Sequence, residues 1–388
     1  MQNENRWIQG FWRLASYILV ATVASCVTLF LFAQPKNQKL EELRSLINSR
    51  FIGEVTDTQL DDGAAAGMVA ATGDRWSYYI PASEYASHME QVNNEYVGIG
   101  VTIASTLGEQ GFEVLTVEPN GGALEAGIQP GDVICRVAGE SALTLGLDGA
   151  KALIKGAEQT QVEITVIREG EEHTFNVVRK KIQVIVAKGE MLPGEIGLIA
   201  IKNFDERCAD ETLAAMESLL EQGAKALIFD VRYNPGGFKK ELVKILDRLL
   251  PEGPVFRSIS YTGEETVDSS DGDCLDIPMA VLINQSSYSA AEFFAAALSE
   301  YDKAVVVGEP TTGKSYFQNT YQLSDGSAVG LSVGKYCTPK GVSLAEVGGL
   351  KPDVEIPVDD ETFSKIYSGL VKPADDPQIQ AAIAALQQ

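Results

Sequence analysis

The sequence predicts a multidomain α/β (α+β) chain. A small β-rich domain is inserted between a helical segment and an alternating strand–helix layer, all behind one apolar run of membrane-spanning length. Three observations carry that expectation. Leu14 to Ala33 holds no charged residue. Residues 96–180 alternate apolar and polar side chains between Gly-containing turns, the period of β-strands. From about residue 181, β-branched apolar runs alternate with amphipathic helical patterns, the order of parallel strands joined by helices.

Residues 1–13, with Arg6 and Arg13, read as a cytoplasmic tail, and 14–33 as a transmembrane signal-anchor. A bilayer is crossed by about 20 apolar residues, and positive charges stay inside. Everything after Gln34 then faces outward, at the cell membrane and outside the cytoplasm. A cleaved signal peptide is the competing reading, as is a lipoprotein leader ending at Val23-Ala24-Ser25-Cys26; the apolar run continues through Phe32, which favours the uncleaved anchor. Residues 37–95 read as helical, with Leu40, Leu43, Leu46 and Ile47 on one face and a break at Gly73–Tyr79. Within 96–180, Tyr96–Ile103, Phe112–Val117 and Val133–Val137 read as strands. Gly122–Gly127 reads as a helical turn, Leu147–Ile154 as a helix, and Val162–Val166 with Phe175–Val177 as a hairpin about Glu169-Gly170. Over 181–360 the order is strand Ile196–Ile201, a helix capped by Asp210, strand Ala226–Val231, helix Leu242–Leu250, strand Met279–Ile283, helix Ser289–Leu298 and strand Ala304–Val307. A hairpin turning at Ser324–Ser327 follows. Residues 361–388 read as a helical tail.

At 388 residues and 45% hydrophobic content the chain has material for several packed domains, and its net charge of −23 argues against a nucleic-acid partner, since phosphate binding runs on clustered Lys and Arg. Beyond the apolar run stand Cys135, Cys208, Cys274 and Cys337. No CxxC pair occurs, so these read as separate thiols, although an extracytoplasmic chain permits disulfides.

The chemistry concentrates around Ser289. It closes an apolar strand and opens an alanine-rich helix, so its hydroxyl projects from a turn while the N–H of Ala290 lies at a helix N-terminus that favours an oxyanion. Glu292 reads as a first-turn acid complementing that dipole. A serine nucleophile needs a base, and the chain has only two histidines, His88 and His173. Lys314 is the alternative, because Ser-Lys pairs are a recurrent form of the triad logic. Asn234-Pro235-Gly236-Gly237 follows the strand ending in Asp230-Val231-Arg232; its glycines serve an ordinary turn or bring bare N–H groups to a reacting carbonyl. Gly308–Ser315 matches the phosphate-loop pattern. That loop must open a helix, yet the following residues read as a strand, so no nucleotide is expected.

With these pieces in place, the chain from Lys39 to Pro357 resembles the carboxyl-terminal processing peptidases, a family of PDZ-containing serine proteases. The resemblance rests on Gly73–Tyr79, Gly98-Ile99-Gly100, Ala126–Asp132, Leu227–Arg232 with its Asn-Pro-Gly-Gly, the Ser289 segment, Thr312-Gly313-Lys314 with Gln318, and Lys335–Gly341 leading to Lys351–Val354. It implies an α/β serine-protease core with an inserted PDZ domain, acting as an endopeptidase on protein substrates with free, apolar C-terminal tails. By that resemblance Ser289 is the nucleophile, Lys314 the general base and Gln318 its orienting partner. Ala290, Gly236 and Gly237 offer oxyanion N–H groups, and Gly98, Ile99 and Gly100 receive the substrate C-terminus. The family uses no metal and no cofactor; a homo-oligomer stays open. Tyr288 is bulky beside the nucleophile, Ser315 replaces a usual glycine, and Lys155 stands where many members carry arginine.

Overall fold

The computed structural model describes residues 11–12, 15–25, 38–105, 110–367 and 370–387, which divide into two compact units, Met1–Ala71 and Thr72–Gln388. Residues 15–25 are helical; Leu14 and residues 26–33 of the expected span lie outside the described residues. Among the described residues no helix is long and apolar enough to cross a membrane. The first unit also holds helices α1 (Gln38–Arg50) and α2 (Asp57–Ala70), neither with a buried residue. Thr56 opens α2 with a capping box, exchanging bonds with Gln59, and Arg44 reaches from α1 to Asp57 and Asp61.

The second unit begins with β1 (Tyr78–Ile80) and α3 (Ala82–Val92), so the segment expected over 37–95 is shared between the units. The single alternating strand expected over 96–103 is two: β2 (Glu95–Gly98) and β3 (Val101–Ser105) belong to different sheets. Gly100, at φ 81°, makes the break, and a Cβ there would lie 2.8 Å from Gly121 Cα. Then follow β4 (Phe112–Val117), α4 (Gly122–Ala126), β5 (Val133–Val137), β6 (Glu140–Ser141), α5 (Ala142–Ile154), β7 (Gln161–Arg168), β8 (Glu171–Val178) and β9 (Lys180–Gln183). Strands β3-β4-β5-β7-β8 form one sheet around Ile99, Val114, Ile134, Ile164 and Val166, while β2 and β9 pair antiparallel as a separate ribbon.

The remainder is a layered α/β body of β10 (Ala187–Leu192), β11 (Ile196–Ile201), α6 (Cys208–Glu221), β12 (Ala226–Asp230), α7 (Lys239–Leu249), β13 (Gly253–Ser260), β14 (Glu265–Ser270), β15 (Met279–Ile283), α8 (Ala290–Glu300), β16 (Ala304–Gly308), β17 (Tyr316–Gln322), β18 (Ala328–Cys337), α9 (Leu344–Val347), β19 (Val354–Glu355), α10 (Asp360–Tyr367) and α11 (Pro377–Leu386). Asp210 lies in the first turn of α6 rather than capping it, because the helix starts at Cys208. The central sheet runs β10-β11-β12-β15-β16-β19, parallel from β11 onward. Its strands are apolar at successive positions because both faces are covered. Leu227, Phe229 and Val281 pack with α6, α7 and α8, while Ile228, Ala280 and Leu282 meet Ile379 and Ala382 of α11. A second, antiparallel sheet, β1-β18-β13-β14 with β17 on β18, supplies the hairpin beyond β16. The four thiols are free.

Candidate active site

Three loops meet at the carboxyl ends of neighbouring parallel strands, where open α/β sheets place their sites: 231–238 after β12, 284–289 after β15 and 309–315 after β16. Ser289 is the residue before α8 and only 7% exposed. Its backbone sits at φ 59° and ψ −128°, a conformation that L side chains rarely adopt and that persists only when surroundings impose it. Two neighbours do so. The Ser289 N–H donates to Glu292 Oε2 at 2.9 Å. Gly236, at φ 88°, packs so closely that a Cβ on it would stand 2.7 Å from Ser289 Cβ and 2.8 Å from Ala290 N.

Glu292 is fully buried, and its carboxylate collects four donors. Oε1 accepts from the Thr311 hydroxyl at 2.5 Å and the Gly313 N–H at 2.6 Å; Oε2 accepts from the N–H groups of Ser289 and of Lys314, the latter at 2.8 Å. One side chain thus joins the backbone of the serine turn to that of the lysine loop. Burial pushes its carboxyl up from the ordinary range, and the four bonds pull against that rise. Sequence reasoning assigned Glu292 to the helix dipole alone; the serine-to-glutamate spacing of a capping box was the signal of more.

Lys314 is partly buried, with Nζ 4.7 Å from the Trp76 ring centroid and 5.8 Å from that of Tyr288. Burial lowers its pKa from the ordinary lysine value, Asp74 and Glu292 oppose the change, and Arg75 adds to it. Among the described residues no hydrogen bond joins Ser289 to Lys314 Nζ. Gln318 lies on β17, and its Nε2 donates to Ser332 Oγ at 2.9 Å and to the Tyr316 carbonyl at 3.1 Å rather than to the lysine. Ser332 in turn donates its N–H to Ser77 Oγ at 3.1 Å, and Ser77 donates to Asp74 Oδ2 at 2.6 Å. Burial pushes the Asp74 carboxyl up, but bonds from Ser332, Ser77 and the Trp76 N–H outweigh it and hold Asp74 below the usual carboxylate range. Asp74 is therefore a charge acting on the lysine, at a position the sequence marked as a break between helices and as part of the resemblance but gave no role.

The two glycines expected as oxyanion donors differ. The Gly236 N–H already donates to Asn234 Oδ1 at 2.8 Å, so that residue contributes close fit. Gly237 bridges Phe204 in parallel, with Phe204 N–H donating to the Gly236 carbonyl and Phe238 N–H to the Phe204 carbonyl, which leaves the Gly237 N–H outside the ladder. Ala290, as the first residue of α8, has no intrahelical acceptor for its N–H. His88 packs against Tyr78 with the rings tilted at 49°, and His173 lies on β8 in the inserted domain. The phosphate-loop pattern leads into strand β17, as expected, and not into a helix.

In the inserted domain, Gly98, Ile99 and Gly100 are buried and line a cavity of about 500 Å³ with Ile103, Ile154 and Lys155. The carbonyls of Ile99 and Gly100 are fixed by the N–H groups of Ala123 and Glu118 at 2.8 and 2.9 Å.

Comparison with known proteins places these features in one family. Residues 195–356 match the model of peptidase family S41, and residues 113–168 match a PDZ domain. The carboxy-terminal processing protease CtpA of Bacillus subtilis (strain 168) is 32% identical over 361 residues, covering 88% of this chain and 76% of that protein. A probable CtpA-like serine protease of Staphylococcus aureus (strain bovine RF122 / ET3-1) is 30% identical over 359 residues, covering 88% of this chain and 71% of its own. A putative S41 protease from Bacteroides fragilis NCTC 9343 shares the fold, with a TM-score of 0.57 at 16% identity over 87% of this chain and 92% of that one.

Proposed function

The chain belongs to the carboxyl-terminal processing peptidases and is a serine-type peptidase with a PDZ domain, and from that premise we propose that Ser289 is its nucleophile and Lys314 its general base. The observation that carries this reading is the shared carboxylate of Glu292, which accepts hydrogen bonds from the backbones of both residues. In the reaction the neutral Lys314 amine takes the Ser289 proton as Oγ attacks the substrate carbonyl, and the N–H groups of Ala290 and Gly237 receive the oxyanion. Collapse of the tetrahedral adduct passes the proton to the leaving amine, and water then hydrolyses the acyl-enzyme. The lysine amine, 4.7 and 5.8 Å from the Trp76 and Tyr288 ring centroids, must come within hydrogen-bond reach of Ser289 Oγ to do this. Gln318, held through Nε2 by Ser332, keeps Oε1 free of that bond to meet the arriving amine. Alanine at Ser289 or Lys314 should each abolish cleavage of a quenched-fluorescence peptide, with the double variant little worse, because the pair acts as one unit. Retained cleavage by Ser289→Ala sinks the assignment.

The PDZ cavity supports recognition of a substrate C-terminus, with the tail adding to β3 as a strand. A fluorescent peptide with an apolar free-acid C-terminus should bind in anisotropy measurements, and its C-terminal amide should not. Equal binding of both removes the carboxylate from the reading. The charge-free run 14–33 behind Arg6 and Arg13 supports a membrane anchor with the peptidase outside the cytoplasm. Digestion of the catalytic unit by protease added to intact cells tests that placement.

A further inference from the structure

We infer that two pieces of the C-terminal tail, Phe363–Tyr367 and Asp376–Gln378, are a positioning strap for the loop that packs Gly236 against Ser289 and carries Gly237, with Asp376 acting through Arg232 and Phe363 through Tyr233. The inference rests on Ser289 as nucleophile and goes beyond it by assigning a task to the tail.

The loop needs outside support. Within a few residues it combines Tyr233 at φ 60°, Gly236 at φ 88° and Gly237 at φ 148°, conformations whose freedom in an isolated chain is large. Part of the support comes from the core. Asn284 Oδ1 accepts the Tyr233 N–H at 3.0 Å, and the Asn234 amide donates to the Ile201 carbonyl at 2.8 Å. The Phe204 and Tyr288 N–H groups add bonds to the Gly236 and Asn234 carbonyls at 2.8 and 3.1 Å, and the tail adds its own, at two consecutive residues. The Arg232 side chain is 3% exposed and pairs with Asp230 at 2.6 Å and with Asp376 at 2.9 Å, while its Nη1 also donates to Gln378 Oε1 at 2.9 Å. Tyr233 turns the other way. Its hydroxyl donates to the Phe363 carbonyl at 3.0 Å, and its ring meets those of Phe363 and Tyr367 edge-on at 4.7 and 5.1 Å.

The strap is itself anchored. The second oxygen of Asp376 caps α11, accepting from the N–H groups of Gln378 and Ile379 at 2.9 and 3.2 Å. Gln378 Nε2 donates to the Ile356 carbonyl at 2.8 Å, and Ile379 and Ala382 sit in the apolar layer under β12 and β15. A buried guanidinium held between two carboxylates tolerates little rotation, so displacement of Asp376 is felt at Arg232. Residues 234–237 then lose the support on the tail side and keep those from Phe204, Asn284, Ile201 and Tyr288. An oxyanion donor is effective only within a few tenths of an ångström of its place, and a misplacement of about 1 Å costs on the order of a hundredfold in rate.

The test uses the full chain with Asp376→Asn, Phe363→Ala and the conservative Phe363→Tyr, and measures kcat and KM per active site titrated with a phosphonate. Both disruptive variants should lower kcat by about ten- to a hundredfold with KM within about twofold. Phe363→Tyr should restore most of the loss. Affinity for a peptide aldehyde, whose hemiacetal oxygen needs the oxyanion donors, should fall more than affinity for the matching peptide amide. A tail that merely stabilises the fold would lower Tm and the titrated fraction together while leaving kcat per titrated site unchanged; that result overturns the strap. If Asp376→Asn fails to fold, Phe363→Ala decides alone, since it strands no buried charge. Normal kcat in the tail variants, with Ser289→Ala inactive, overturns the strap only. Activity in Ser289→Ala overturns the nucleophile and the strap with it.

Discussion

Replacing Glu292 with glutamine keeps shape and removes charge at a side chain that accepts from the backbones of both Ser289 and Lys314. The amide will turn its NH₂ toward Thr311 and Gly313, because the Thr311 hydroxyl can reverse and accept, whereas toward Ser289 and Lys314 it would meet two N–H donors. That orientation leaves the part-buried Gly313 N–H without an acceptor, at about 1–3 kcal/mol. The bonds from Ser289 and Lys314 survive on a neutral oxygen, each weaker by about 1 kcal/mol. Against this, burying the Glu292 charge is itself costly, which pushes its carboxyl up, and glutamine avoids that penalty. The net expectation is about 3 kcal/mol, or a Tm lower by roughly 6–12 °C for a catalytic body of this size. Activity should fall further than stability explains, by about a hundredfold in kcat at a temperature where the variant is folded, because nucleophile and base lose their common anchor. Glu292→Ala, which strands three N–H groups, should be worse on both counts. The measurements are differential scanning fluorimetry and kcat per titrated site. Wild-type Tm with kcat within about threefold would refute the idea that one carboxylate registers the two loops.

Two further outcomes follow from the same geometry. Activity should rise with pH through a single titration below the ordinary lysine value of about 10.4, because burial lowers Lys314 and only its neutral form accepts a proton; Asp74→Asn, which removes a charge favouring the ammonium, should move that midpoint toward acid. A midpoint that shifts to alkaline pH in Asp74→Asn contradicts the proposed electrostatics. Gly236→Ala should abolish phosphonate labelling of Ser289, since its methyl would meet Ser289 Cβ and Ala290 N at 2.7 and 2.8 Å on a backbone at φ 88°; labelling at the wild-type rate shows that the turn yields.

The layered body was legible because its strands are apolar at consecutive positions, which only a sheet covered on both faces permits; the expected Ile196–Ile201 and Met279–Ile283 are the observed β11 and β15. Ser289 and Lys314 were singled out for a chemical reason, the scarcity of histidine, and the structure brings their backbone N–H groups to one carboxylate. The roles of Glu292 and Asp74 were not, because each depends on which backbone N–H groups converge from segments distant in the chain. Gln318 shows the same limit from the other side: resemblance supplied a role, while its amide is engaged by Ser332 across the β17–β18 pair. The break at Gly100 was hidden because two short strands in register along the sequence carry the same alternation as one long strand.

The ribbon formed by β2 and β9 pairs Glu95 with Gln183 and Gly98 with Lys180, so the chain leaves the catalytic body and returns to it at the same point. The intervening eighty-odd residues hang on a two-stranded stalk whose ends stand only about 5 Å apart. Such a cassette can be cut out at Gly98 and Lys180 and the stalk closed by a two-residue Asn-Gly turn, converting it into an ordinary hairpin. Because the junction is already closed, exchanging the insert for a domain of different length adds little chain entropy, about 0.6 kcal/mol for each doubling of loop length. The architecture thus lets the part that would choose the substrate be replaced while the serine, the lysine and the glutamate between them stay where they are.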